Sequence, residues 1–243
     1  MIVVKVRTMF NLTYTILFMI VQSACGTQFF NKLSKISSTC SISPQLLPVL
    51  HNVMPDNAKN LAFQLSSIGL HSCTISLRHP TAIQALDIFI QHSNDMVVGA
   101  STVVSESQIR EVKKCGAKFV STMFPCYELI KTSHNSDISI LCGVVTKSDT
   151  ESALEWGAQG LKFYPANQVS PEQFKIIKNG VGTKINNISC YIAGGISNDQ
   201  YDTYLQAGID GFAIGIDCNT INSSTVADLI KQKHDLLYKV LNT

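Results

Sequence analysis

A chain of 243 residues has room for one large domain or two small ones. Hydrophobic residues make up 45% and charged residues 15%, which excludes a disordered or heavily solvated polymer. A formal charge of +2 leaves no footprint for nucleic acid or an anionic membrane surface, although it is compatible with a local basic pocket for a phosphate.

The N-terminal segment stands apart. Lys5 and Arg7 precede a charge-free stretch from Thr8 to Asn31 with an apolar centre at Ile16 to Val21, and the small residues Ala24-Cys25-Gly26 follow. A basic region, an apolar region and small residues in that order resemble a secretory signal. Asn11, Thr13, Thr15 and Gln22 make the stretch a poor membrane span, so no stable membrane partner is expected. We read residues 1–26 as an extension, with an export signal as the alternative, and residues 27–243 as a single domain.

The eight cysteines (Cys25, Cys40, Cys73, Cys115, Cys126, Cys142, Cys190 and Cys218) form no C-x-x-C pair and no Cys/His cluster with metal-ligand spacing. Cys73, Cys142 and Cys190 lie inside apolar runs, where free cysteine behaves as a small hydrophobe. That usage suits a reducing compartment. The expectation is a cytoplasmic protein with no metal, no structural disulfide and no cofactor.

From Leu46 onward the chain alternates short apolar runs with amphipathic stretches. Leu46–Val53 reads as a strand, and Pro55-Asp56 opens a helix that Gly69 stops. Ser72–Arg78 is the second strand, followed by a helix from Thr81 to His92. Met96–Thr102 is the third, with Ser105 capping a helix to Lys114. Lys118–Thr122 is the fourth, with a helix from Pro125 toward Lys131.

Ser139–Val145 is the fifth strand, and a helix from Ser148 to Trp156 follows it. Gly160–Ala166 contains the sixth, followed by a helix from Pro171 to Lys178. Ile188–Gly195 is the seventh, with a helix from Asn198 to Gln206, and Gly211–Asp217 is the eighth, with a last helix from Ser223 to Leu241. This alternation predicts a compact α/β fold, a (β/α)8 TIM barrel, with an open doubly wound sheet as the alternative. No Gly-rich dinucleotide fingerprint follows the first strand, which favours the barrel.

Active sites of such barrels lie at the C-terminal ends of the strands. The sixth strand carries Lys162 in an apolar setting. A buried ammonium costs several kcal/mol unless it is paired or neutralised, and an amine of lowered pKa is useful as a nucleophile toward carbonyls. The plainer alternative is a lysine that snorkels from an exposed face. His51 offers a proton carrier, Arg78 a forked contact to a carboxylate, and Thr102 a hydroxyl to the same carboxylate or a helix cap. Gly194 and Gly195, before Ser197-Asn198, suit either a phosphate or a tight turn.

Three ordered segments carry a resemblance. Val97-Val-Gly-Ala-Ser-Thr-Val-Val104, Gly160-Leu-Lys-Phe-Tyr-Pro-Ala166 and Ile192-Ala-Gly-Gly-Ile-Ser197 resemble the GAGTV, LKxFP and GGI/V segments of the class I 2-keto-3-deoxy-6-phosphogluconate (KDPG) aldolases. That family includes the 6-phosphogalactonate and 4-hydroxy-2-oxoglutarate (KHG) aldolases. The resemblance implies a barrel, usually a homotrimer, that cleaves a 2-keto-3-deoxy phosphosugar acid to pyruvate and glyceraldehyde 3-phosphate without a metal. It further implies that Lys162 forms the Schiff base, Arg78 and Thr102 hold the pyruvate carboxylate, and Gly194 and Gly195 hold the phosphate.

The chain also departs from the pattern. The family's strand-two glutamate base aligns with Thr74, its strand-one arginine with His51, and its strand-eight phosphate serine with Ile216. Met123 aligns with a proline, Ala193 with a threonine and Ser101 with a glycine. Two further readings therefore stand beside the aldolase: a non-catalytic barrel kept for binding or scaffolding, and another phosphate-binding barrel such as a sugar-phosphate isomerase.

Overall fold

The computed structural model describes residues 45–219 and 222–241, so the signal-like extension 1–26 lies outside the described residues. Eight strands alternate with helices: β1 (Gln45–His51), α1 (Pro55–Ser67), β2 (Ser72–Ser76), α2 (Ala82–Gln91), β3 (Val97–Val103), α3 (Glu106–Lys114), β4 (Phe119–Thr122) and α4 (Tyr127–Asn135). The second half continues with β5 (Ser139–Val144), α5 (Lys147–Glu155), β6 (Gly160–Phe163), α6 (Pro171–Val181), β7 (Ser189–Ala193), α7 (Tyr201–Ala207), β8 (Gly211–Asp217) and α8 (Ser223–Leu241).

The strands form a closed barrel in chain order. All pairs are parallel, and β1 joins β8 in register from Gln45 opposite Gly211 to His51 opposite Asp217. Closure rules out the open doubly wound sheet. Side chains alternate between two apolar layers, as the period of a strand requires. Leu50, Cys73, Ile75, Ala100, Val120 and Phe163 face outward and pack under the helices. Leu47, Phe119, Leu141, Tyr191 and Ala213 form a smaller cluster inside the barrel.

A Cβ on Gly99 would lie 2.6 Å from the Phe119 ring, so the missing side chain is what lets that ring lie inside the barrel. The interior is thereby filled, and the polar inward positions fall toward the C-terminal ends of the strands.

The helices begin where local chemistry favours it. Ser105 accepts from Gln108 N and caps α3, and Ser170 accepts from Gln173 N ahead of Pro171 in α6. Gly208, at φ +94°, ends α7 in a left-handed conformation. Two helices start more than one residue from where they were expected. The helix after β4 starts at Tyr127 and runs to Asn135, because Cys126 takes the extended N-cap conformation. The helix expected from Asn198 opens as a 3-10 turn, Asn198–Gln200, and only then becomes α7.

Candidate active site

Lys162 is an inward residue of β6, since Leu161 and Phe163 on either side belong to the outer core. It is 7% exposed, so it does not snorkel. Its Nζ donates to Ser121 Oγ at 2.8 Å and lies 5.9 Å from the centre of the Tyr164 ring. Burial lowers the amine pKa to about 8, with the Arg78 charge adding to the effect and the Cys142 thiol opposing it. Among the described residues, no ion pair includes this lysine. A substantial share of the amine is therefore neutral near physiological pH.

The amine opens into a cavity of about 350 Å³ that His51, Arg78, Thr102, Gly194 and Gly195 also line. All six residues singled out from sequence thus border one space. No aspartate or glutamate is among its lining residues. With two basic groups and no acid, the cavity is suited to an anion.

His51 ends β1, and the edge of its ring packs on β8: a Cβ on Gly215 would lie 3.1 Å from Nε2 and 3.4 Å from Cδ2. Burial lowers its pKa below the usual imidazole value, helped by Arg78 and Lys162 and opposed by Asp217. The ring is neutral near pH 7, and its buried Nδ1 has no hydrogen-bond partner.

Arg78 follows the end of β2 rather than continuing the strand, and no ion pair among the described residues engages it. Thr102 reaches the cavity through an irregularity. Ser101 pairs with Ser121 and Val103 with Thr122, so Thr102 is an extra residue in β3, at φ +61°. That bulge holds a β-branched residue in a left-handed conformation, which is strained, and re-aims its side chain. The Thr102 hydroxyl lies 3.2 Å from Ser76 Oγ, while Ser105 caps the next helix.

Gly194 and Gly195 follow β7 at φ +83° and +77°. A Cβ on Gly194 would meet the Tyr164 ring at 2.8 Å, whereas one on Gly195 would meet nothing within 4 Å. The pair is therefore both a turn that needs positive φ and a section of cavity wall. The element behind it is a 3-10 turn followed by a seven-residue helix, so its α-helical part is shorter than the helix expected there.

Thr74 is fully buried, and its Oγ1 has no partner. It is not among the residues lining the cavity. Other wall residues were less apparent in the sequence. Tyr164 lies two residues beyond Lys162, a spacing that puts both on one face. Met123 reaches the wall because β5 carries Gly143, where a Cβ would lie 2.3 Å from the Met123 carbonyl oxygen. A glycine inside a strand was the available signal for that close approach.

Fold and cavity together define a (β/α)8 barrel with a cationic, carboxylate-free pocket at the C-terminal ends of its strands. The family model described as KDPG and KHG aldolase matches residues 36–231, and the chain belongs to that family. It is 24% identical over 173 residues to the 2-dehydro-3-deoxy-6-phosphogalactonate aldolase of Escherichia coli strain K12, which covers 71% of this chain and 83% of that relative. It is 27% identical over 160 residues to the 2-dehydro-3-deoxy-phosphogluconate aldolase of Dickeya dadantii, covering 66% and 74% respectively.

Among solved structures, a KDPG aldolase from Legionella pneumophila, with pyruvate captured at low pH as a covalent carbinolamine intermediate, has a TM-score of 0.63 and 27% identity. The match covers 82% of this chain and 93% of that one. Membership in the family supports an aldolase, and hence a lyase, function. No helix among the described residues is long and apolar enough to cross a membrane.

Proposed function

We propose that the protein is a Schiff-base (class I) aldolase. Its substrate would be a 2-keto-3-deoxy (phospho)sugar acid such as 2-dehydro-3-deoxy-6-phosphogluconate, cleaved to pyruvate and an aldehyde such as glyceraldehyde 3-phosphate. The observation that carries this reading is the Lys162 amine, buried, lowered to about 8 and open to a cavity that lacks a carboxylate. The pyruvate carbinolamine of the Legionella relative supports the same chemistry here.

In this reading the neutral amine attacks the C2 carbonyl, and loss of water gives a protonated imine. The imine draws electrons from the C3–C4 bond while the C4 hydroxyl gives its proton to His51. The aldehyde leaves, the enamine regains a proton at C3, and water releases pyruvate. Arg78 and Thr102 hold the keto-acid carboxylate, and the backbone at Gly194 and Gly195 faces the phosphate. We also read the protein as a cytoplasmic homotrimer, on the strength of the family and of six described cysteines that are all free.

Borohydride reduction in the presence of pyruvate tests the reading. A stable mass gain of one reduced pyruvyl group, mapped to Lys162 and lost in Lys162→Ala, is the expected result. A folded protein that gains no such mass removes the Schiff-base mechanism. One observation favours a second reading, a binding protein that no longer catalyses: Thr74 stands where the family has its base, and it is buried away from the cavity. That reading predicts no retro-aldol rate above background with phosphorylated or plain 2-keto-3-deoxy acids.

A further inference from the structure

Among the described residues, the hydrogen-bond partner of the Lys162 amine is the Ser121 hydroxyl, at 2.8 Å. The reaction outlined above gives that serine no task. Ser121 is one end of a row of hydroxyls, because the ladder aligns Ser76 with Ser101 and Ser101 with Ser121 on three adjacent strands. All three are 2% exposed or less. They point into the barrel, since Ile75, Ala100 and Val120 beside them pack outward. Ser76 is satisfied by Thr102, and Ser101 Oγ has no partner.

Ser121 accepts from the amine, and no acceptor for its own hydroxyl proton is found among the described residues. Ser121 is not itself among the residues lining the cavity, so its reach to a substrate is through the 2.8 Å contact with Nζ, beside the carbon that the amine attacks. Attack of a neutral amine on a keto carbon leaves a positive nitrogen and a negative oxygen. Such a charge pair is costly at a buried amine, and no acid lines this cavity to manage the protons.

We propose that Ser121 is a catalytic residue that removes this charge pair by relaying a proton. As the C–N bond forms, the carbonyl π electrons move to the substrate oxygen. Ser121 Oγ takes a proton from Nζ, and the serine's own proton passes to the substrate oxygen. One proton arrives and one leaves, so the serine ends unchanged and a neutral carbinolamine results. The relay rests on Lys162 forming an imine. Its geometry favours it: an oxygen within hydrogen-bond reach of the attacking nitrogen is also close to the oxygen that charges as the bond forms.

The test is the rate of pyruvate imine formation on the full chain, measured by mixing, quenching with borohydride at intervals and reading intact mass. Ser121→Ala is expected to slow the approach to the final adduct by about 100-fold, the low end of general acid–base contributions, without lowering the final amount. Ser121→Thr, which keeps a hydroxyl, is expected to recover the rate to within about tenfold of wild type. Removing the acceptor also disfavours the ammonium, so the rise of rate with pH is expected at lower pH in Ser121→Ala.

An adduct that forms in Ser121→Ala at the wild-type rate overturns the relay alone. So does a folded Ser121→Thr as slow as the alanine variant. A wild type that gives no adduct overturns the imine reading and the relay with it.

Discussion

At the scale of the residue, Lys162 joins stability to chemistry. Its folded-state pKa of about 8 lies below the ordinary lysine value of 10.5. Between those limits the unfolded chain binds the proton and the folded chain does not, so stability rises with pH across that window. Below it the full cost of burying the charge remains, about 3 kcal/mol from the size of the depression. Lys162→Met keeps an unbranched chain only one heavy atom shorter and removes the charge. It is expected to stabilise the protein by about 2–3 kcal/mol at pH 7. Denaturant unfolding at several pH values should show that gain shrinking from pH 8 upward. A gain that does not change with pH would mean the amine titrates normally in the folded state. The same depression predicts that pyruvate trapping accelerates as pH rises toward about 8 and then levels, because the neutral amine is the nucleophile.

At the scale of the element, the turn after β7 separates two uses of glycine. Gly195→Ala places its Cβ in open space and pays only for positive φ, about 1–2 kcal/mol. Gly194→Ala carries the same backbone cost and also drives its Cβ into the Tyr164 ring at 2.8 Å. The expected order of thermal stability is wild type, Gly195→Ala, Gly194→Ala, with pyruvate trapping slowed only in the last, where the cavity wall moves. Equal melting temperatures for the two variants would show that the ring yields freely.

The same elements show where sequence reading succeeds. Short apolar runs marked all eight strands, and Ser105 and Pro171 marked helix starts, because each signal acts within a few residues. The bulge at Thr102 was not legible. A threonine at φ +61° has no sequence signature, and its conformation is imposed by how β3 pairs with β4. The Lys162–Ser121 contact spans 41 positions, and it depends on the stagger between strands, which alternation does not fix. Six site residues were legible because each lies near or just beyond the C-terminal end of a strand, and closure of the barrel brings those ends together. The burial of Thr74 outside the cavity wall depends on how deep in the barrel β2 places it, which no local signal reports.

At the scale of the whole molecule, the apolar surface bears on assembly. Isolated exposed apolar residues are ordinary, and Phe63 on α1 and Ile176 on α6 are of that kind. Val104, Phe124 and Tyr127 differ, because they follow the adjacent strands β3 and β4 and are 55%, 54% and 47% exposed. Large apolar groups on neighbouring segments are better explained by a surface that becomes covered. A homotrimer using this region predicts a light-scattering mass three times the 26.6 kDa protomer. Phe124→Asp would bury a carboxylate in each interface, a cost of several kcal/mol that favours the monomer. Phe124→Asp is therefore expected to shift the mass toward one protomer while circular dichroism stays unchanged. If the wild type scatters as a monomer, assembly plays no part. If Phe124→Asp remains trimeric, the interface lies elsewhere on the barrel.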